Sequence, residues 1–158
     1  MRSFLFAVVI LFSTTDLAGQ SDISYKITSV EAYLYYQDRD SYSENIIDNS
    51  TFSLWNVIIG EGSAKGISEQ TLIKVVVEAS GNGQLNAKGL SLEVSVSSTK
   101  AVVLKKTFRL GLFNSKRRNS YLLLANDTGC LPLTVTAKLV GKGGGSHVTK
   151  TIPFECGE

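Results

Sequence analysis

Apolar and polar side chains alternate along most of this chain, and that period of two constrains its fold more than any other feature. In "LSLEVSVSS", Leu90, Leu92, Val94 and Val96 fall on one face and Ser91, Glu93, Ser95 and Ser97 on the other. A backbone that sends successive side chains to opposite faces is a strand, here one with a single buried face. "TLIKVVVEAS" repeats the pattern with Ile73, Val75, Val77 and Ala79 inward. "VVLKKTFRLGL" places Val102, Leu104, Phe108, Leu110 and Leu112 inward, with Lys106 interrupting the row. "YLLLA", too short for a helix and apolar on both faces, reads as a central strand, and "TFSLWNVIIG" as another apolar strand. "ISYKITSVEAYLYY" changes phase between Ile27 and Val30, which predicts a bend, a bulge or a change of sheet there.

Between these runs lie "SGNGQLNAKG", "NSKRRNS", "NDTG" and "GKGGGS", rich in residues that tolerate turn backbones. Short strands at regular spacing, about eight of them, with no amphipathic helix predict an all-β antiparallel sandwich. The first residues stand apart. "MRSFLFAVVILFSTTDLAGQ" has Arg2, an apolar run over 4–12 and a polar stretch ending in small residues, the layout of a secretory signal peptide. The run is far below the roughly 20 residues of a membrane span. Cleavage after Gly19 is expected, leaving residues 20–158 as one sandwich domain. That product is expected to be exported (secreted, periplasmic or associated with the cell envelope) and not membrane-spanning.

"YLLLANDTGCLPLTVTAKLV" joins an apolar strand, a D-x-G turn at 127–129 and an alternating strand. This stretch resembles the last strands of an immunoglobulin-like domain. The positions where that pattern holds a tyrosine and a cysteine carry Leu131 and Leu133 here, so neither the tyrosine corner nor the inter-sheet disulfide carries over. The resemblance implies the fold alone. The leader and the small domain ending in "CGE" also resemble uncharacterised secreted proteins of Bacteroidota type, a likeness that brings no function with it.

Cys130 and Cys156 are the two cysteines. Export favours an oxidised pair, and two cysteines match no four-ligand zinc pattern. Direct opposition of the two in a hairpin would set Leu133, Val135 and Ala137 against Pro153, Thr151 and Thr149. Opposed residues share a face, so that pairing turns Val148, Ile152 and Phe154 away from the apolar row. A slip of one residue restores the row and separates the cysteines. Cys130 is therefore expected in the turn before the strand, or beside a bulge near Pro132.

The net charge of +2 gives no reason to expect a nucleic-acid partner. Its distribution is uneven: residues 20–98 hold five basic and ten acidic side chains, residues 99–158 ten basic and three acidic. "KKTFRLGLFNSKRR" makes Lys105, Arg109, Lys116, Arg117 and Arg118 a candidate anion-binding set, against the plainer reading that the two halves complement each other. Catalytic chemistry has little to work with. The single histidine, His147, lies beside the glycine-rich turn, where it reads as a solvated residue and not as part of a nucleophile–histidine pair. "VGKGGGSHV" joins two strands, whereas a phosphate loop joins a strand to a helix. Asp38, Asp40, Glu44 and Asp48 alternate as calcium ligands do, but Arg39 interrupts them and the glycine turn is missing. No catalytic residue, metal or cofactor is assigned and the chain is not expected to be an enzyme. A carboxylate-dependent hydrolase is the remote alternative, since paired acids suffice for glycoside cleavage but nothing here builds the cleft.

Five of the six tyrosines fall within residues 25–42. In an unbroken strand Tyr33 and Tyr35 share a face opposite Val30, Ala32, Leu34 and Tyr36. They are the candidate ligand-binding residues, because flat rings with a polar tip suit sugars and proteins. The alternative is that these rings pack beneath the loop over 37–50. Sequons stand at Asn49 and Asn126. The functional expectation is a secreted, non-catalytic binding module for a protein or carbohydrate, with a structural or assembly protein of the cell envelope as the alternative.

Overall fold

The structure, a computed structural model, describes residues 23–81, 86–99 and 101–157. The expected leader over 1–19 lies outside them. Eight strands and one 3-10 turn follow in order: β1 (Ser24–Tyr36), the turn (Gln37–Arg39), β2 (Ser41–Tyr42), β3 (Gln70–Ser80), β4 (Leu90–Ser98), β5 (Val102–Arg109), β6 (Arg118–Asn126), β7 (Leu133–Gly141) and β8 (His147–Ile152). They form two four-stranded antiparallel sheets, β2-β1-β3-β6 and β5-β4-β7-β8. The chain passes between the sheets after β3, β5 and β6. No α-helix occurs among the described residues, and none of their helices is long and apolar enough to cross a membrane.

The alternating rows become the core. Ile73, Val75 and Val77 of β3 and Leu92, Val94 and Val96 of β4 are all buried. Burying each such side chain contributes about 1.5–3 kcal/mol. The phase change in the first strand is a bulge: β1 slips against β3 between Ile27 and Ser29, so that both Ile27 and Val30 reach the core.

The C-terminal hairpin pairs Leu133 with Ile152 and Thr134 with Thr151, the register that keeps Leu133, Val135, Ala137, Leu139, Ile152 and Phe154 buried. Cys130 precedes β7 in a bend and Cys156 follows β8; the two are disulfide-bonded with their Cα atoms 4.7 Å apart. The staple thus lies outside the ladder, on the turn and not across opposed strand positions.

Three expectations fail. β6, which contains "YLLLA", is an edge strand paired only with β3, so Leu122 and Leu124 are 56% and 42% exposed. "TFSLWNVIIG" is irregular apart from one bridge, Trp55 to Glu155. Asn56 takes a left-handed backbone, and its carbonyl accepts the N–H groups of Ile59, Gly60 and Glu61, which closes a turn where a strand was expected. Leu54 and Val57 from this turn still plug the core. Finally, Val102 and Leu112 are exposed: a register shift beside Val96 sets Val102 opposite Ser97 on the outer face, and Leu112 lies beyond the end of β5.

Candidate binding face

Since the even positions of β1 from Val30 to Tyr36 are buried, the odd positions face outward across the first sheet. The ladder sets Tyr33 beside Leu72 and Leu72 beside Leu124. One row away, Tyr42, Tyr35, Gln70 and Asn126 lie side by side; on the other flank Glu31 adjoins Lys74 and then Leu122. The outer face therefore carries three tyrosine rings and three leucines in adjoining rows.

The rings are held by one another and by neighbouring carboxylates. The Tyr35 and Tyr42 ring centroids are 5.1 Å apart and tilted, a cross-strand aromatic pair. The Tyr35 hydroxyl donates to Asp40 Oδ1 at 2.9 Å, and this bond raises the phenol pKa. Asp40 reaches it because it ends the 3-10 turn in a left-handed backbone, bending the chain back towards β1. The Tyr33 hydroxyl donates to Glu31 Oε2 at 2.5 Å; burial, then the hydrogen bond and charge of Glu31, push that phenol up to about 12.

Glu31 anchors the cluster. Burial alone would raise its carboxyl, but hydrogen bonds from Lys74 Nζ (2.8 Å), Tyr33 and Ser29 outweigh it and hold the group at about 2, below its ordinary 4.5. A depressed carboxyl stabilises the fold above the unfolded-state value and loses that contribution as pH falls through the folded one. The melting temperature is thus expected to fall between about pH 4.5 and pH 2, by an amount corresponding to about 1 kcal/mol after solvent screening. Glu31→Gln should flatten that acid limb; an unchanged limb in thermal melts against pH would rule out the assignment.

The basic set is divided. Lys105 and Arg109 project from the outer face of the second sheet, where Ser95 and Ser91 are their neighbours. Lys116 and Arg118 lie at the start of β6, where with Lys74, Asn114 and Ser120 they line an open concavity of about 600 Å³. Two of these three cations are already paired, Lys74 with Glu31 and Arg118 with Glu78 at 3.5 Å. The Arg117 guanidinium donates instead to the Gly81 carbonyl. The five residues do not make one face.

The acidic loop is divided too: Asp38 pairs with Arg39, Asp40 with Tyr35 and Asp48 with Lys150. Among the described residues no three carboxylate, histidine or cysteine groups come together as a metal site. His147 is exposed at the first position of β8, with Nε2 3.4 Å from Thr149 Oγ1. The sequons differ: Asn49 accepts from the exposed Thr51, whereas the Thr128 hydroxyl beyond Asn126 is buried against Thr71 at 2.7 Å.

Sequence reasoning found Tyr33 and Tyr35 and missed Tyr42, Leu72, Leu122 and Leu124 on the same face. The doubly apolar run of β6 was the available signal. It can mean burial on both sides or an outer face kept for contact.

No family model matches the chain, and no curated protein matches it. Among solved structures, the β-glucuronidase of Bifidobacterium dentium, complexed with coumarin-3-O-glucuronide, is similar with a TM-score of 0.44 and 13% identity, over 83% of this chain. The chain spans 17% of that protein's length.

Proposed function

We propose that the chain is an exported, non-catalytic binding module with an immunoglobulin-like sandwich, which takes a protein or carbohydrate ligand on the outer face of its first sheet. The strand order supports the immunoglobulin-like reading. With the two-residue β2 set aside, the first, second and fifth strands share one sheet and the third, sixth and seventh the other, as in that fold class. The fourth, which the constant-type domain places beside the fifth, here lies beside the third. The disulfide and the expected leader support export.

One observation carries the binding reading. Tyr35 and Tyr42 pack against each other as a tilted pair, and the Tyr35 hydroxyl is tied to Asp40, so the rings are presented with little left to immobilise on contact. The two carboxylates of this arrangement, Glu31 and Asp40, are each engaged by a tyrosine hydroxyl, and Glu31 by Lys74 as well, so the face is read as a contact surface.

The test is a glycan panel and a panel of extracellular proteins offered to the disulfide-bonded chain and to Tyr35→Ala and Tyr42→Ala. Binding lost in both variants, with melts within a few degrees of the parent, is the expected result. Binding that survives both substitutions, or no binding by the parent, would refute it. A second reading, an assembly protein of the cell envelope, draws on a separate observation: the first sheet ends in an open strand.

A further inference from the structure

A sandwich of two open sheets has four edge strands, and an unpaired edge is a template for another strand unless it is short, charged or covered. Three of the four here are protected in those ways. β2 is two residues long. β5 carries Lys105, Lys106 and Arg109. β8 is six residues long and carries His147 and Lys150, the latter bridged to Asp48.

β6 is different. It is nine residues long, and after Arg118 its remaining eight residues are uncharged. Its free backbone groups can be located. The Ala79 N–H donates to the Arg117 carbonyl at 2.9 Å, which marks 79 and 117 as a hydrogen-bonded position of the β3–β6 ladder. Such positions recur every second residue. Asn119, Tyr121, Leu123 and Ala125 therefore direct their backbone groups to β3, while Ser120, Leu122 and Leu124 direct theirs away from it. The Arg118 N–H fits this alternation, since it turns to Asn114 Oδ1 at 3.2 Å and not to β3. The residues with outward backbone groups are also those with exposed side chains, Leu122 and Leu124 foremost.

We propose that β6 pairs antiparallel with β6 of a second copy about a two-fold axis, and in this way deepens the assembly reading independently of the ligand. The register follows from the side chains. Hydrogen-bonded pairs between outward-facing positions allow Leu122 of each copy to oppose Leu124 of the other, and Ser120 to oppose Asn126. Apolar then meets apolar and polar meets polar, twice over, as a two-fold interface requires. The charges agree with that direction. Lys116 and Arg118 stand at one end of the strand and Asp127 just beyond the other. Antiparallel pairing brings each basic end beside the acidic end of its mate, whereas parallel pairing would set like beside like. The product is a continuous eight-stranded sheet with both tyrosine faces on one side, so a ligand with repeating units would be held at two places at once.

Two copies also bring their β5 edges, with Lys105, Lys106 and Arg109, towards each other. Salt screens both this repulsion and the attraction of Lys116 and Arg118 to Asp127. Six cations on the β5 edges outweigh two such exposed ends, so the dimer should tighten as salt is added, while an acidic partner strand on the same edge would be released by salt. The experiment is sedimentation velocity of the full disulfide-bonded chain over a concentration series at low and high salt. A monomer–dimer equilibrium that tightens with salt is expected. Leu122→Lys and Leu124→Lys each remove apolar pairs on both sides of the axis and should weaken it by about tenfold or more. Both positions are exposed, so the monomer melt reports that the fold is intact. Tyr35→Ala and Tyr42→Ala should leave the dimer unchanged, which separates this outcome from failure of the ligand-binding face. A parent chain that stays monomeric to millimolar concentration, a dimer indifferent to both lysines, or one that dissociates with salt would overturn the proposal.

Discussion

Gly129→Ala is expected to destabilise the fold by about 2–6 kcal/mol, the sum of two costs of about 1–3 kcal/mol each. Gly129 has φ +116, a backbone that side chains with a Cβ rarely adopt. A Cβ there would also stand 2.7 Å from Val57 Cγ2, with Ile58 Cγ1 and the Ser68 carbonyl both at 3.1 Å. Val57 is fully buried and Ser68 holds Tyr35 and Gln70 through its hydroxyl, so none of these neighbours can give way cheaply. The comparison is Gly143→Ala. That glycine also has a positive φ, but nothing lies within 4 Å of the added carbon. It should cost only the backbone term, about 1–2 kcal/mol. Chemical denaturation of both variants decides the matter: equal losses would mean that the packing around Val57 relaxes and that the junction is not tightly built.

Removing the disulfide comes second. For cysteines 26 residues apart the chain-entropy model assigns the bond about 3.5 kcal/mol, so Cys130→Ala/Cys156→Ala should lose about 3–4 kcal/mol. The tail has further ties that keep the double variant foldable. Asn56 N–H donates to the Glu155 carbonyl at 2.8 Å, Glu155 N–H to the Leu54 carbonyl at 3.2 Å, and Gly157 N–H to Asn56 Oδ1 at 2.6 Å. The double variant is therefore expected to unfold cooperatively at lower denaturant concentration and to match the reduced parent. A loss below about 1 kcal/mol would show that these ties already restrain the unfolded chain or that the bond is strained.

How far the sequence could be read divides along one physical line. Side-chain faces are local properties of a strand. The rows Leu90 to Val96 and Ile73 to Ala79, the phase change after Ile27 and the register that excludes opposed cysteines were therefore all legible. Which strand lies beside which is a long-range property, and there reading failed. Nothing in "YLLLA" distinguishes a strand flanked on both sides from one flanked on one, so β6 was misplaced and its leucines with it. Similarly, proximity in sequence suggested one basic face, but the passage from β5 to β6 crosses between sheets and parts Lys105 and Arg109 from Lys116 and Arg118. Tyr33 and Tyr35 were found because alternation within β1 alone exposes them. Tyr42 joined them through a turn whose left-handed Asp40 left no periodic trace.

The covalent closure at the C-terminal end also sets how tension would travel through the molecule. A pull at Gly157 reaches Cys156 and passes through the sulfur–sulfur bond to Cys130, bypassing the 25 residues between them. β8 and its hairpin with β7 are then slack, although β8 is the last strand and lies at an edge. About 90 Å of extensible chain is withheld, and the load passes from Cys130 back along the chain into β6, whose ladder with β3 runs from Gln70–Asn126 to Glu78–Arg118. A domain anchored at that end would resist stretching through β6 and its ladder with β3, and not through its last two strands.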